Sequence, residues 1–180
     1  MANSSQSRQR GASLVEALMT LGITAVLLGT AVPGLSDMRD RQRLQAATAQ
    51  FETDVQHARS MAVARNQVLR LSFGPAAGAG CYVLHTGTTS QQCQCSADPQ
   101  ASQCSGGAEV LRTISLPTSH GISLLANVGS MAFEPHRGTV TPTGTIRVTE
   151  PRGQRVHLVI NVMGRVRACT PNGATGWAAC

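Results

Sequence analysis

The chain has 180 residues, a formal net charge of +6 and an isoelectric point near 9.6. Hydrophobic residues make up 42% of it, which excludes an intrinsically disordered chain because enough apolar surface is present to form a packed core. All 15 of its basic residues are arginines, whose forked guanidinium groups suit carboxylates and phosphates, so the composition favours an anionic partner.

The N-terminal segment has the layout of a membrane-directed sequence. A predominantly polar segment of ten residues, two of them arginines, precedes Gly11, and an apolar run over residues 12–32 follows. About 20 apolar residues cross a bilayer as a helix, and a carboxylate such as Glu16 in that run costs about 2.5–3.5 kcal/mol and needs a partner. We therefore predict a leader over residues 1–11 and a transmembrane or filament-core helix over residues 12–35.

An ordinary secretory signal is the alternative interpretation of this segment. The small residues Gly29, Thr30 and Ala31 have the spacing that cleavage after Ala31 requires. The charge of Glu16 inside the apolar region disfavours this alternative.

The next segment has the periodicity of an amphipathic helix. Apolar residues recur at steps of three and four, at Leu44, Ala47, Phe51, Val55, Ala58 and Ala62. Polar residues such as Gln56 and Arg59 lie elsewhere on the helical wheel. This pattern predicts that residues 36–66 continue the helix and lay an apolar stripe on a sheet.

Beyond the helix, residues 67–180 have the sequence pattern of a β-rich domain. Short runs of β-prone residues alternate with Gly, Pro, Ser and Thr turns. Residues 86–108 are polar and contain three cysteines, which predicts a disulfide-stapled loop. The predicted strands are residues 68–73, 81–85, 110–116, 122–125, 131–133, 145–149, 155–162 and 165–168.

The six cysteines indicate a disulfide framework in an oxidising compartment, because all of them follow residue 80 in a chain with a membrane-directed segment. Cys169 and Cys180 flank a short loop rich in glycine and proline, and we predict that they form a disulfide. Closing a loop of this size contributes roughly 3 kcal/mol in the chain-entropy model. The other four, Cys81, Cys93, Cys95 and Cys104, can pair in three ways.

Zinc binding is the alternative use of these cysteines. Cys93 and Cys95 followed by Cys104 could supply thiolates, but the C-x-C spacing is not that of a zinc knuckle and no histidine is close in sequence. We therefore predict no metal site.

Arginines recur near the C-terminus at alternating positions of the predicted strands. Strict alternation places Arg147, Arg155, Arg165 and Arg167 opposite the apolar residues of their strands. If Met163 and Gly164 form a tight turn, the strands they join are neighbours and their outer faces pool these charges. A solvated sheet face without a ligand is the alternative.

No enzymatic motif is present in the sequence. The five histidines are scattered, and neither a metalloprotease, a nucleophile-elbow nor a phosphate-loop pattern occurs. The sequence therefore predicts a protein that is not an enzyme and has no cofactor.

Residues 11–16, Gly-Ala-Ser-Leu-Val-Glu, resemble the processing site of type IV prepilins. The resemblance implies that a prepilin peptidase cuts after Gly11 and methylates Ala12, although Phe is the usual first residue of the mature chain in this family. It further implies that Glu16 pairs with the terminal amine of a neighbouring subunit in filament assembly. Pro33 and Gly34 match the family's helix break at the end of the apolar segment.

The whole layout is similar to that of the FimT and GspH subfamily of minor pilins and pseudopilins, and most like FimT. The resemblance implies an α+β fold in which a long N-terminal helix, membrane-spanning in its first half, packs on an antiparallel β-sheet head. It also implies a single pass of the bacterial inner membrane with the head in the periplasm, before assembly into a pilus or pseudopilus with other pilin subunits.

Residues 164–167, Gly-Arg-Val-Arg, resemble the G-R-x-R motif of FimT-type minor pilins. The resemblance implies non-specific binding of DNA during natural transformation. Aromatic residues make up only 3% of the chain, which disfavours base stacking on single strands and favours double-stranded DNA as the partner. The alternatives are a GspH-like pseudopilin of type II secretion, which binds protein, and a pilus-assembly initiator without a ligand.

Overall fold

The protein is described by a computed structural model that covers residues 13–74, 80–96, 98, 102–116, 121–171, 173 and 176–180, with the backbone alone for residues 30–34. One helix, α1 (Leu14–Arg65), precedes all of the strands. The strands are β1 (Leu69–Phe73), β2 (Cys81–His85), β3 (Cys93–Gln94), β4 (Gln103–Cys104), β5 (Val110–Ser115), β6 (Ser123–Ala126), β7 (Ser130–Phe133), β8 (Val140–Thr141), β9 (Gly144–Thr149), β10 (Arg155–Ile160), β11 (Val166–Thr170) and β12 (Ala178–Ala179).

Helix α1 continues through Pro33 and Gly34, so the break implied at these two residues is wrong. A proline removes only its own N–H from the hydrogen-bond ladder, and a helix can continue past it. The helix ends where Asn66 adopts a left-handed conformation with φ 48° and the N–H of Gln67 donates to the carbonyl of Ala62 at 3.1 Å.

The predicted membrane span corresponds to the first part of α1. Among the helical residues that the structure describes, none form a stretch long and apolar enough to cross a membrane. The transmembrane role of residues 12–35 stays a prediction.

From Asp40 onward the chain forms one compact unit. It contains two five-stranded sheets with strand orders β5-β2-β1-β7-β8 and β12-β11-β10-β9-β6, and a small β3-β4 ribbon. All strand pairs are antiparallel except β11 with β12, which are parallel. The α+β class with a helix on an antiparallel head is therefore confirmed, and the head consists of two larger sheets where a single one was expected.

The predicted apolar stripe of α1 faces the core. Leu44, Phe51, Val55, Ala58 and Ala62 are all buried, and they share one hydrophobic cluster with residues of both five-stranded sheets. Burying a large apolar side chain of this kind contributes about 1.5–3 kcal/mol, so the stripe is the main attachment of α1 to the head.

A buried carboxylate interrupts this stripe. Asp54 is 2% exposed, and its Oδ2 accepts a hydrogen bond of 2.7 Å from the hydroxyl of Tyr82. Its Oδ1 lies 3.3 Å from Nη1 of Arg112, and the amide of Gln50 donates to both oxygens at 3.1 Å. Burial of the hydroxyl is the main cause that raises the pKa of Tyr82, and the negative charge of Asp54 is the second cause. The helix is therefore tied to β2 and β5 by a satisfied buried charge as well as by packing.

All eight predicted strands are present, with ends that shift by one or two residues. Four further strands, β3, β4, β8 and β12, were not predicted, because each has only two residues and carries no period-2 signal. The predicted strand over residues 155–162 ends early at Ile160, and Val162 is exposed in a turn, because the chain reverses direction there.

Every cysteine forms a disulfide. Cys169 pairs with Cys180, which is the pairing predicted from the sequence, and the four others pair as Cys81 with Cys95 and Cys93 with Cys104. The disulfide between Cys93 and Cys104 links β3 to β4, so the polar loop is closed by a disulfide as predicted. The zinc alternative fails because no free thiolate remains to bind a metal.

One histidine is part of the core. His85 is 0% exposed, and its Nδ1 accepts the N–H of Gly87 at 2.9 Å. Its Nε2 therefore carries the proton and donates to the hydroxyl of Ser72 at 2.8 Å. Burial is the main cause that lowers the pKa of His85 to about 4, and the positive charge of Arg70 is the second cause.

This burial predicts a loss of stability in acid. Between about pH 6.5 and pH 4 the unfolded chain binds a proton at His85 that the folded chain does not, so the free energy of unfolding falls as the pH falls. We expect His85 to contribute a fall of about 2–3 kcal/mol between pH 7 and pH 4.5. Urea denaturation at the two pH values measures it.

The contribution of His85 is isolated by comparing variants. His85→Gln is expected to show a shallower pH dependence than the parent, whereas His57→Gln, at an exposed position, is expected to keep the parental dependence. The buried carboxyl of Glu150 titrates alike in all three proteins and cancels. An unchanged pH dependence in His85→Gln would contradict the assignment.

Candidate nucleic-acid interface

The two arginines of the Gly-Arg-Val-Arg motif follow a tight turn between β10 and β11. The N–H of Gly164 donates to the carbonyl of Asn161 at 2.9 Å, and Gly164 has φ 70°. The side-chain oxygen of Asn161 accepts the N–H groups of Met163 at 3.0 Å and Arg165 at 2.9 Å. The turn therefore spans residues 161–164, with its centre one residue before the predicted Met163–Gly164, and the asparagine side chain locks it.

Gly164 is the point where this turn contacts the helix. Its carbonyl accepts a hydrogen bond of 3.1 Å from the side-chain amide of Gln56. A Cβ at residue 164 would lie 3.3 Å from Cδ of Arg59 and 3.1 Å from Cγ2 of Val140. The left-handed φ and this tight packing together explain why the motif begins with glycine.

Arg165 and Arg167 are exposed on one side of this hairpin. Arg167 lies in β11 opposite Val159 of β10, and Arg165 is two residues earlier, so alternation directs both side chains the same way. They border a groove of about 530 Å³ whose other wall is helix α1. The groove is lined by Glu52, Gln56, Val159, Asn161, Arg165, Val166 and Arg167.

The other two predicted arginines share the outer face of the same sheet. Arg147 lies opposite His157, and Arg155 lies opposite Thr149, so Arg147 and Arg155 are diagonal neighbours. Arg155 is six residues before Asn161, roughly 20 Å along the strand at about 3.3 Å per residue. The structure thus brings the four arginines onto one face but separates them into two pairs.

No residue of β9, β10 or β11, all of which the structure describes, is acidic. Glu52 of α1 is the carboxylate that opposes the motif arginines, because it lines the same groove. The sheet face therefore attracts polyanions, and Glu52 reduces that attraction at the groove.

The disulfide between Cys169 and Cys180 lies beside this pair of arginines. Val159, Arg167 and the two cysteines line one small depression. The N–H of Cys180 donates to the carbonyl of Thr170 at 3.1 Å, so the C-terminal strand β12 is held along β11. The open side of β11 next to Arg167 is therefore paired with β12 and held there by the disulfide.

The predicted N-terminal site residues lie far from this hairpin in sequence. Gly11 and Ala12 are outside the described residues, and Glu16 is exposed in the first turn of α1. Gln56 and Arg59, which position the turn, were not predicted as site residues, and their only sequence signal is a place off the apolar stripe of the helix.

Three comparisons with known proteins bear on this arrangement. The family model described as "Type II transport protein GspH" matches residues 47–164, which cover the C-terminal part of α1 and the strands up to the turn. The pilin-like protein PilA1 of Thermus thermophilus is 42% identical over 76 residues, which are 42% of this chain and 47% of that relative. The chain thus spans about half the length of the curated relative that it matches.

Two solved structures are similar in backbone. The type IV minor pilin FimU of Pseudomonas aeruginosa matches with a TM-score of 0.51 and 17% identity, covering 76% of this chain and 96% of that one. The minor pseudopilin EpsH of the type 2 secretion system of Vibrio cholerae matches with a TM-score of 0.45 and 15% identity, covering 71% and 96%. The similarity to FimU is one of fold.

Proposed function

The chain belongs to the GspH family of pilin-like proteins, and from that premise we propose that it is a FimT-like minor pilin that binds double-stranded DNA without sequence preference during natural transformation. The observation that carries the proposal is the β10–β11 hairpin, which presents Arg165 and Arg167 side by side on a sheet without acidic residues.

The binding is electrostatic. Exposed guanidinium groups contact backbone phosphates and release the counterions condensed on the duplex, which makes the affinity fall steeply with salt. Arg165 and Arg167 supply the main contacts, and Arg147 and Arg155 extend the positive surface along the sheet. Weak binding by one head suits a filament, because several copies along the filament gain by avidity.

Duplex DNA is favoured over single strands because the chain offers no aromatic platform. Its three phenylalanines, one tyrosine and one tryptophan are buried or half-buried in the hydrophobic core cluster. The phenylalanine, tyrosine and tryptophan rings are therefore at most half-exposed, which disfavours base stacking and favours contacts of the sheet face to the DNA backbone.

The N-terminal segment supports the proposal that the subunit is first inserted in the bacterial inner membrane. We propose that a prepilin peptidase cleaves after Gly11 and methylates Ala12, and that the head lies in the periplasm before assembly. Glu16 then pairs with the terminal amine of a neighbouring subunit. In this role the protein is a structural and binding subunit with no enzymatic activity and no cofactor.

A second candidate function follows from the description of the matching family model. A minor pseudopilin of type II secretion would share the fold and the assembly chemistry, and its head would bind protein. The match ends at Gly164, so the two motif arginines lie just beyond it, whereas Arg147 and Arg155 lie within it.

A DNA titration separates the two functions. The full-length chain, purified in a non-ionic detergent, is expected to shift a short duplex of mixed sequence in about 50 mM NaCl and to bind it far more weakly in about 200 mM NaCl. Two duplexes of unrelated sequence are expected to bind equally. Absence of binding at the lower salt concentration would refute the DNA function and leave the pseudopilin function.

A further inference from the structure

A second hairpin, with an arginine at its tip, lies next to the motif turn. Strands β7 and β8 are joined by residues 134–139, where the N–H of Glu134 donates to the carbonyl of Thr139 and the N–H of Gly138 donates to the carbonyl of Glu134, both at 2.8 Å. Gly138 has φ 60°, which a glycine adopts without strain. The tip of this hairpin presents His136 and Arg137, both exposed.

Backbone and side-chain contacts join the two hairpins. The N–H of Val140 donates to the carbonyl of Val162 at 2.8 Å, which links β8 to the β10–β11 turn. Arg59 lies against both turns, because its Nε donates to the carbonyl of Gly138 at 2.9 Å while its Cδ packs against Gly164.

The same arginine side chain therefore sets the spacing of the two turns. A Cβ at Gly138 would lie 3.2 Å from Nε of Arg59, and one at Gly164 would lie 3.3 Å from its Cδ. Arg137 and Arg165 are each the immediate chain neighbour of one of these glycines. Each of these exposed arginines is therefore one residue from a glycine that packs on the Arg59 side chain, although 28 residues separate the two arginines in sequence.

We propose that Arg137 contacts the same DNA backbone as Arg165 and Arg167, so that the binding surface crosses from one hairpin to the other. This inference rests on the proposed DNA function and extends it to a residue on the other five-stranded sheet. The surface then carries Arg59, Arg137, Arg165 and Arg167. Its acidic neighbours are Glu52, in the groove beside the motif arginines, and Glu134, which lines a second groove together with His136 and Arg137.

The geometry ranks Arg137 above a residue that the sequence placed in the site. Arg155 is roughly 20 Å from the motif turn along β10 and roughly 13 Å from Val159, the partner of Arg167, whereas the hairpin that carries Arg137 is hydrogen-bonded to the motif turn. We therefore expect a duplex centred on the motif turn to contact Arg137 before Arg155. Nothing in the sequence pattern indicates this, because the two hairpins belong to different sheets.

Three arginine-to-glutamine substitutions, each of which removes one positive charge, test this ranking in the full-length chain with a duplex of mixed sequence. Arg137→Gln is expected to weaken binding roughly 3- to 10-fold at low salt and to lower the slope of log Kd against log salt by about 0.9, the value of one phosphate contact. Arg155→Gln is expected to have a smaller effect on both. Arg43→Gln is the matched control, because it lies 16 residues from Arg59 on α1, about 24 Å along the helix.

The salt slope separates a direct contact from an indirect structural effect. Arg137→Lys keeps the positive charge and is expected to restore the parental slope. The inference is overturned if the parent binds DNA and Arg137→Gln has the parental slope, whether or not its affinity changes. If the parent itself does not bind DNA at low salt, the proposed function fails, and the inference fails with it.

Discussion

Replacing both Arg165 and Arg167 with glutamine is expected to reduce duplex binding on the order of 100-fold and to abolish the gel shift at low salt. Each charge-assisted hydrogen bond to a phosphate contributes about 1.5–3 kcal/mol of binding free energy. Losing two of them lowers an already weak affinity below the level that a gel shift detects. The salt slope is expected to fall by about 1.8. Both side chains are exposed and outside the core, so the fold and its melting temperature should be retained.

A variant that is expected to strengthen DNA binding is the control for this result. Glu52 lines the groove beside both arginines, so Glu52→Gln removes a repulsive charge and is expected to tighten DNA binding. A destabilised or misfolded head cannot produce tighter binding, which makes the gain informative. Parental affinity in the double arginine variant would refute the role of the motif.

Replacing Glu16 with alanine is expected to leave membrane insertion intact and to exclude the subunit from filaments. The proposed partner of the carboxylate is the terminal ammonium of a neighbouring subunit, and a buried charge that loses its partner costs about 3–5 kcal/mol. That cost corresponds to a loss of assembly of roughly 150- to 5,000-fold. The measurement is the amount of the variant in sheared filaments relative to the membrane fraction.

Two further variants separate charge from shape at this position. Glu16→Gln keeps the size of the side chain but not its charge, and it is expected to fail like the alanine variant. Glu16→Asp keeps the charge and is expected to retain part of the assembly. Normal incorporation of Glu16→Ala into sheared filaments would count against the pairing role.

Local periodicity predicted the elements of this fold well. The apolar stripe of Leu44, Phe51, Val55, Ala58 and Ala62 repeats with the helical period, and these side chains are the ones that the head buries. Strands of four or more residues were predicted from β-prone runs between turns. The Cys169–Cys180 pairing was also predictable, because a short loop with glycine and proline brings its ends together by local geometry alone.

Contacts between distant parts of the chain could not be predicted in this way. The buried network of Asp54, Tyr82 and Arg112 joins three elements, and each of these residues looks like an ordinary polar residue within its own segment. The same holds for His85, which ends a predicted strand and gives no local sign that the fold buries it.

The sequence by itself determined the helix with its core-facing stripe, the β-rich head and the arginine motif, because each is a pattern of nearest neighbours along the chain. Only the tertiary structure decided that the head has two five-stranded sheets and that Gly164 must be small to pack against Arg59. It also joined the turn that carries Arg137 to the turn that precedes Arg165. The physical reason is that strand pairing and turn packing depend on side chains many residues apart, and their positions follow from the fold as a whole.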